Sequence, residues 1–116
     1  MVRVIRFCLL GSGSSGNAIY VEADGSKILI DNGLSYRQLE ARAQAAGISL
    51  AGLKAIFITH EHADHVGGLG VFTRKVPVPV YMTPGTADRL PPGIGTVNDI
   101  RYFEAGEDVR LNGMRV

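Results

Sequence analysis

Cysteine is nearly absent. The 116 residues hold one, Cys8, so no disulfide can form within the chain. That usage suits a reducing cytoplasm, which is the expected location. An excess of one charge is also missing: 12 basic residues stand against 11 acidic ones, for a formal net charge of +1. No overall field therefore draws the chain to DNA, RNA or an acidic membrane. Arg74-Lys75 is the lone adjacent basic pair, so composition gives a nucleic-acid partner no support. Long hydrophobic runs are lacking too. The apolar stretch 7–10 is too short for a membrane span or a signal-peptide core, and no membrane partner is expected. Repeats, low-complexity tracts and linkers are not found. What remains is ordinary for a globular protein, with 46% hydrophobic and 20% charged residues, enough for one small domain with a core.

The opening reads as a β-meander. Residues 2–10 are β-branched and apolar, a strand pattern, and GSGSSG follows as a loop. Residues 17–23 and 27–31 read as two strands joined at Asp24-Gly25-Ser26, a hairpin signal. Cys8, between Phe7 and Leu9, reads as a small buried hydrophobe, because no neighbour would stabilise a thiolate. A helix should follow: Ser35 and Gln38 can form a capping box, and Gly47 is a natural stop. Leu39, Ala43 and Ala46 can share its apolar stripe. Residues 54–58 read as a buried strand, and about 65–75 as a short helix weakened by Gly67, Gly68 and Gly70. A short strand lies in PVPVYM. Thr83-Pro84 opens a helix through about Leu90, which Pro91-Pro92-Gly93 ends. Residues 100–103 read as a strand, and 108–111 with 114–116 as a hairpin about Asn112-Gly113. Strands in a meander and then alternating with helices predict an α/β fold with a mixed sheet flanked by helices.

All three histidines, His60, His62 and His65, lie within six residues, with Asp64 among them. Imidazole and carboxylate are ligand types that suit zinc, manganese or iron. Alternate residues of an extended loop point the same way, so His60 and His62 can grip one ion. Asp64 and His65, where the chain turns into a helix, can face a neighbouring ion. The helical zincin motif H-E-x-x-H fails here, since Asp64 stands where its second histidine is needed. Histidines two apart cannot share a helical face. Glu61 therefore reads as an outward loop residue rather than a general base. Thr59 reads as a loop anchor or a simple strand end.

Gly11, Gly13 and Gly16 spell G-x-G-x-x-G, and Asp31 lies twenty residues past Gly11. A dinucleotide fingerprint needs a helix opening at the third glycine, whereas Asn17–Val21 reads as a strand. The loop reads instead as a tight turn. Ser14, Ser15 and Asn17 in it can contact a substrate phosphate or satisfy loop amides, and the second reading is favoured. Tyr36 could touch substrate but is more readily a packing residue. Asp31 reads as a turn residue before Gly33 or as an acceptor for a hydrogen bond from the histidine loop.

THEHADH resembles the H-x-H-x-D-H motif of the metallo-β-lactamase superfamily, and Leu29-Ile30-Asp31-Asn32-Gly33 is similar to its L-I-D-x-G. The opening FCLLGSGSSGNAIYVE looks like a small bacterial subgroup called YycJ- or WalJ-type, described as exonuclease-like. The resemblance implies an αββα sandwich and two divalent metal ions, zinc first and manganese or iron as alternatives. It implies His60 and His62 on the first ion, Asp64 and His65 on the second, and Asp31 supporting the loop from behind. Asp64 would be the catalytic residue, binding a metal and orienting the nucleophile. The relatives carry a third histidine, a bridging aspartate and a final histidine, and no histidine follows His65 here. Residues 1–116 are therefore expected to be the N-terminal part of a single such domain, inactive alone.

The implied reaction is hydrolysis by a metal-bound hydroxide, because a bound ion lowers the pKa of water toward ~7. The resemblance points to a phosphodiesterase or DNA exonuclease with a phosphodiester or nucleic-acid substrate. The alternatives are a thioester hydrolase or lactamase of the same superfamily, an iron-dependent sulfur dioxygenase, or a non-catalytic metal-binding fragment. An uncovered sheet face would favour a homo-oligomer.

Overall fold

A computed structural model of the chain describes residues 5–104, 106, 107, 109–111, 114 and 115. Among them, six strands form one sheet: β1 (Ile5–Gly11), β2 (Ala18–Ala23), β3 (Ser26–Ile30), β4 (Ala55–Phe57), β5 (Val80–Met82) and β6 (Ile100–Tyr102). Their spatial order follows the sequence, antiparallel from β1 to β3 and parallel from β3 to β6. The tight turn between β2 and β3 has Asp24 and Gly25 both at positive φ, 50° and 79°, the conformation a two-residue hairpin needs. A separate hairpin pairs β7 (Arg110–Leu111) with β8 (Met114–Arg115); its expected turn, Asn112-Gly113, lies outside the described residues.

The helices lie in the parallel crossovers: α1 (Tyr36–Ala45) before β4, α2 (Ala63–Val66) and α3 (Leu69–Lys75) before β5, and α4 (Pro84–Asp88) before β6. Successive right-handed crossovers that step in one direction place their helices on one face. That face holds the larger core. Leu29, Leu34, Leu39, Ile56, Leu69 and Phe72 are all 0% exposed there. Each contributes about 1.5–3 kcal/mol by leaving water. The opposite face carries a smaller apolar group, Ile28, Ala55 and Phe57, with Phe57 stacked on Tyr81 at 4.9 Å between ring centroids. Ile5, Phe7 and Leu9 of the edge strand are exposed. Pairing sets Phe7 opposite Val21 and Val21 opposite Ile28, so this apolar stripe crosses the meander.

Several local expectations are revised. Ser35 and Gln38 do form the capping box of α1, but only Leu39 and Ala43 of the stripe are buried, since Ala46 already caps the helix and is exposed. The helix expected over about 65–75 is two, broken at Gly67-Gly68. Gly68 sits against the backbone of Leu34, where a Cβ would overlap the carbonyl oxygen. Cys8 is half-buried rather than buried, at the margin of the larger core. The segment after Gly16 runs into the strand β2, not into the helix that a dinucleotide fingerprint needs. Tyr36 packs on Phe72 with centroids 5.9 Å apart, and the Lys75 ammonium lies over its ring. Among the described residues, no helix is long and apolar enough to cross a membrane.

Candidate metal centre

Parallel strands bring their C-terminal ends to one edge of the sheet, and loops leaving that edge collect chemistry. Here β3 runs out into Asp31 and β4 into Thr59 and the histidine loop. The two strands are paired, Ile30 opposite Phe57, so Asp31 and Thr59 are near neighbours. Asp31 is buried and adopts the left-handed conformation, φ 64°, which is costly for a residue with a side chain. Its backbone and carboxylate hold it there. The Asp31 N–H donates to the Phe57 carbonyl at 2.7 Å. Oδ1 accepts from the Thr59 N–H at 2.8 Å, and Oδ2 accepts from the Thr59 hydroxyl at 2.6 Å. His65 Nδ1 lies 2.8 Å from the same Oδ2.

These contacts favour one tautomer of each imidazole. An ionised carboxylate only accepts, so His65 Nδ1 must donate to Asp31. The Thr59 hydroxyl gives its hydrogen to Asp31 and so accepts from His60 Nδ1, 3.0 Å away. In neutral rings both Nε2 atoms are then left with free lone pairs. His65 Nε2 lies 3.7 Å from Asp64 Oδ2. Two donors each ~2.0–2.2 Å from one tetrahedral ion stand roughly 3.3–3.6 Å apart, so this pair stands just wider than the spacing that a shared cation would draw it to. The rings of His60 and His65 are 4.7 Å apart between centroids, and those of His60 and His62 6.1 Å. Among the described residues, no group of three or more His, Cys, Asp or Glu side chains is arranged to hold a metal ion. The imidazole and carboxylate groups gathered there are of the types that suit a divalent ion.

His62 caps the N-terminus of α2 in extended conformation, and Asp64 and His65 lie within that helix. Asp64 is held from another part of the chain. Its carbonyl accepts from the backbone N–H of Asn17 at 2.7 Å, and Asn17 Nδ2 donates to its carboxylate. Asn17 thus has its amide engaged with protein partners. Ser14 and Ser15 are exposed on the turn between β1 and β2. Gly33 passes between these segments so closely that a Cβ there would overlap the Asp64 carbonyl.

The sequence cluster is therefore brought to one sheet edge beside Asp31. Thr59, which the sequence left between two readings, is the link joining Asp31 to His60. The tie between Asn17 and Asp64 was not anticipated, because nothing local marks residues 47 positions apart.

Comparison with known proteins agrees with this architecture. Residues 11–110 match the family model of the metallo-beta-lactamase superfamily. The chain is 38% identical over 110 residues to an exodeoxyribonuclease YycJ of Bacillus anthracis, covering 94% of this chain and 42% of that protein. It is 37% identical to a ribonuclease Z of Mycolicibacterium paratuberculosis, covering 85% of this chain and 39% of that one. Among solved structures, the metallo-beta-lactamase SMB-1 superposes with a TM-score of 0.74 at 23% identity, over 92% of this chain and 47% of its own. The chain thus spans roughly two fifths of the length of these two curated relatives, and its mixed sheet with helices matches a part of the metallo-beta-lactamase fold. It belongs to the metallo-β-lactamase superfamily.

Proposed function

We propose that residues 1–116 form the N-terminal part of a metal-dependent phosphodiesterase that acts on nucleic acid, with DNA exonuclease activity the favoured form. The observation that carries this reading is the hydrogen-bond network at the sheet edge. Asp31 and Thr59 face Nδ1 of His65 and His60, an arrangement that would leave both Nε2 lone pairs free, and Asp64 Oδ2 stands 3.7 Å from His65 Nε2. His60 and His62 would hold one divalent ion, and Asp64 and His65 a second, zinc or alternatively manganese or iron. Such ions supply Lewis acidity, lowering the pKa of water toward ~7 and stabilising charge as it develops. Asp64 would orient the attacking water through its carboxylate. Asp31 would keep His65 in the tautomer that can bind. Ser14 and Ser15 stand exposed on a turn tied to Asp64 through Asn17, where their hydroxyls can reach a phosphate oxygen. Similarity to an exodeoxyribonuclease and a ribonuclease Z favours a phosphodiester over a thioester or lactam.

The test uses the full-length protein, purified with zinc or manganese and assayed on linear DNA and on a simple phosphodiester. His62→Ala and Asp64→Ala should each lower turnover by about 10²-fold or more, beyond the usual effect of changing a residue behind a ligand. Their far-ultraviolet circular dichroism should match the parent. A folded variant that still turns over at the parental rate would remove the assigned role. Cleavage of a thioester or lactam with no phosphodiester cleavage would move the protein to another branch of the superfamily.

A further inference from the structure

The turn between β1 and β2 reaches the metal loop through one side chain. Asn17 Nδ2 donates to the Asp64 carboxylate at Oδ2, 3.2 Å, to the Asp64 carbonyl, 3.0 Å, and to the Gly13 carbonyl, 3.0 Å. Its Oδ1 accepts from the Gly13 N–H at 3.1 Å. The Asn17 backbone N–H donates to the Asp64 carbonyl, and the Asn17 carbonyl accepts from the Gly33 N–H at 3.0 Å. Three segments far apart in sequence therefore meet at this residue: the 11–17 turn, the Asp31–Leu34 link and α2. An amide nitrogen has two hydrogens, so its three acceptors share them. None of the other side chains named above fixes both the backbone and the carboxylate of a proposed ligand.

We infer that Asn17 is a positioning residue for Asp64, holding its carboxylate where Oδ2 can share an ion with His65 Nε2. The inference rests on the proposed metal site and goes beyond it, because Asn17 would touch neither ion nor substrate. Asp64 has 32% of its side chain exposed and lies in a helix of four residues, which leaves it little local restraint. Without the amide, the carboxylate is free to rotate toward solvent. Residues behind a metal ligand commonly govern affinity by fixing ligand orientation. Aspartate at position 17 would keep the acceptor for Gly13 but bring a second negative charge against Asp64. Serine would keep a hydroxyl for the turn, as short polar side chains do, yet be too short to reach the carboxylate.

The experiment is a calorimetric titration of the metal-free full-length protein with manganese or zinc, with Asp64→Ala as the reference. Asn17→Ala and Asn17→Ser should both weaken one of two binding events by about 10–100-fold and leave the other unchanged. Asp64→Ala should abolish that same event. A role confined to shaping the turn would instead lower the melting temperature and weaken both events alike, and that result overturns the inference. If Asn17→Ala does not fold, Asn17→Ser decides between the two, because it retains the turn. Parental affinity in Asn17→Ser beside a lost event in Asp64→Ala would sink the positioning role alone. Parental affinity in Asp64→Ala would sink the metal site with it.

Discussion

The sheet edge at the end of β3 and β4 and the helix-covered face just beneath it are held together by different physics. At the edge, Asp31, Thr59, His65, Asn17 and Asp64 are fixed by directional hydrogen bonds between residues 28 to 47 positions apart. On the face, Leu29, Leu39, Ile56 and Phe72 are wholly buried, and their contribution is non-directional and scales with area. One region sets where atoms point. The other sets whether the chain stays folded. Strain is tolerated in the first, where Asp31 keeps its left-handed backbone, because the second supplies the stability to hold it.

Substitutions should therefore separate stability from ion binding. Phe72→Ala empties the centre of the helix-covered face and should cost about 3–5 kcal/mol in denaturant unfolding of the full-length protein. The molecules still folded should bind metal as the parent does. Weakened binding in those molecules would mean that the two regions are coupled. Asp31→Asn should do the reverse. It keeps the shape, but removes the charge that holds the Thr59 and His65 protons. Ion affinity should fall about 10–100-fold. Stability should fall by less than the core truncation, about 1.5–3 kcal/mol for the lost charge-assisted bonds. A variant with parental affinity would show that the histidine loop orients itself without Asp31.

How much of each region was legible follows from how local its causes are. Ser35, Gln38 and Gly47 mark both ends of α1 within thirteen residues, and Asp24-Gly25 marks a hairpin within two. The four candidate ligands likewise lie within six residues, so their clustering could be read directly. The break between α2 and α3 could not. Gly67 and Gly68 lowered helix propensity, but the reason the helix stops is the approach of the Leu34 backbone from a different segment. The same holds for Asn17, whose partner Asp64 is set by the fold. Ala46 fitted the helical period and is nonetheless exposed, because periodicity does not say on which residue a helix ends.

The smallest effect is expected where the two regions touch. Asn32 follows Asp31 in the chain, and its side chain is buried beside Gly68. It is 0% exposed, and neither Nδ2 nor Oδ1 has a hydrogen-bond partner among the described residues. Its backbone is well used, donating to the His65 carbonyl at 2.7 Å and accepting from the Gly68 N–H at 3.0 Å. Those bonds survive substitution. A buried amide without partners costs about 1–3 kcal/mol, and deleting it leaves a small void whose cost works the other way. Asn32→Ala should thus shift unfolding free energy by no more than about 1 kcal/mol, toward greater stability, with metal affinity unchanged. A loss larger than that would mean an ordered water satisfies the amide. The polar network would then extend one residue deeper than the sheet edge, and the boundary between the two regions would lie below Asn32 rather than at it.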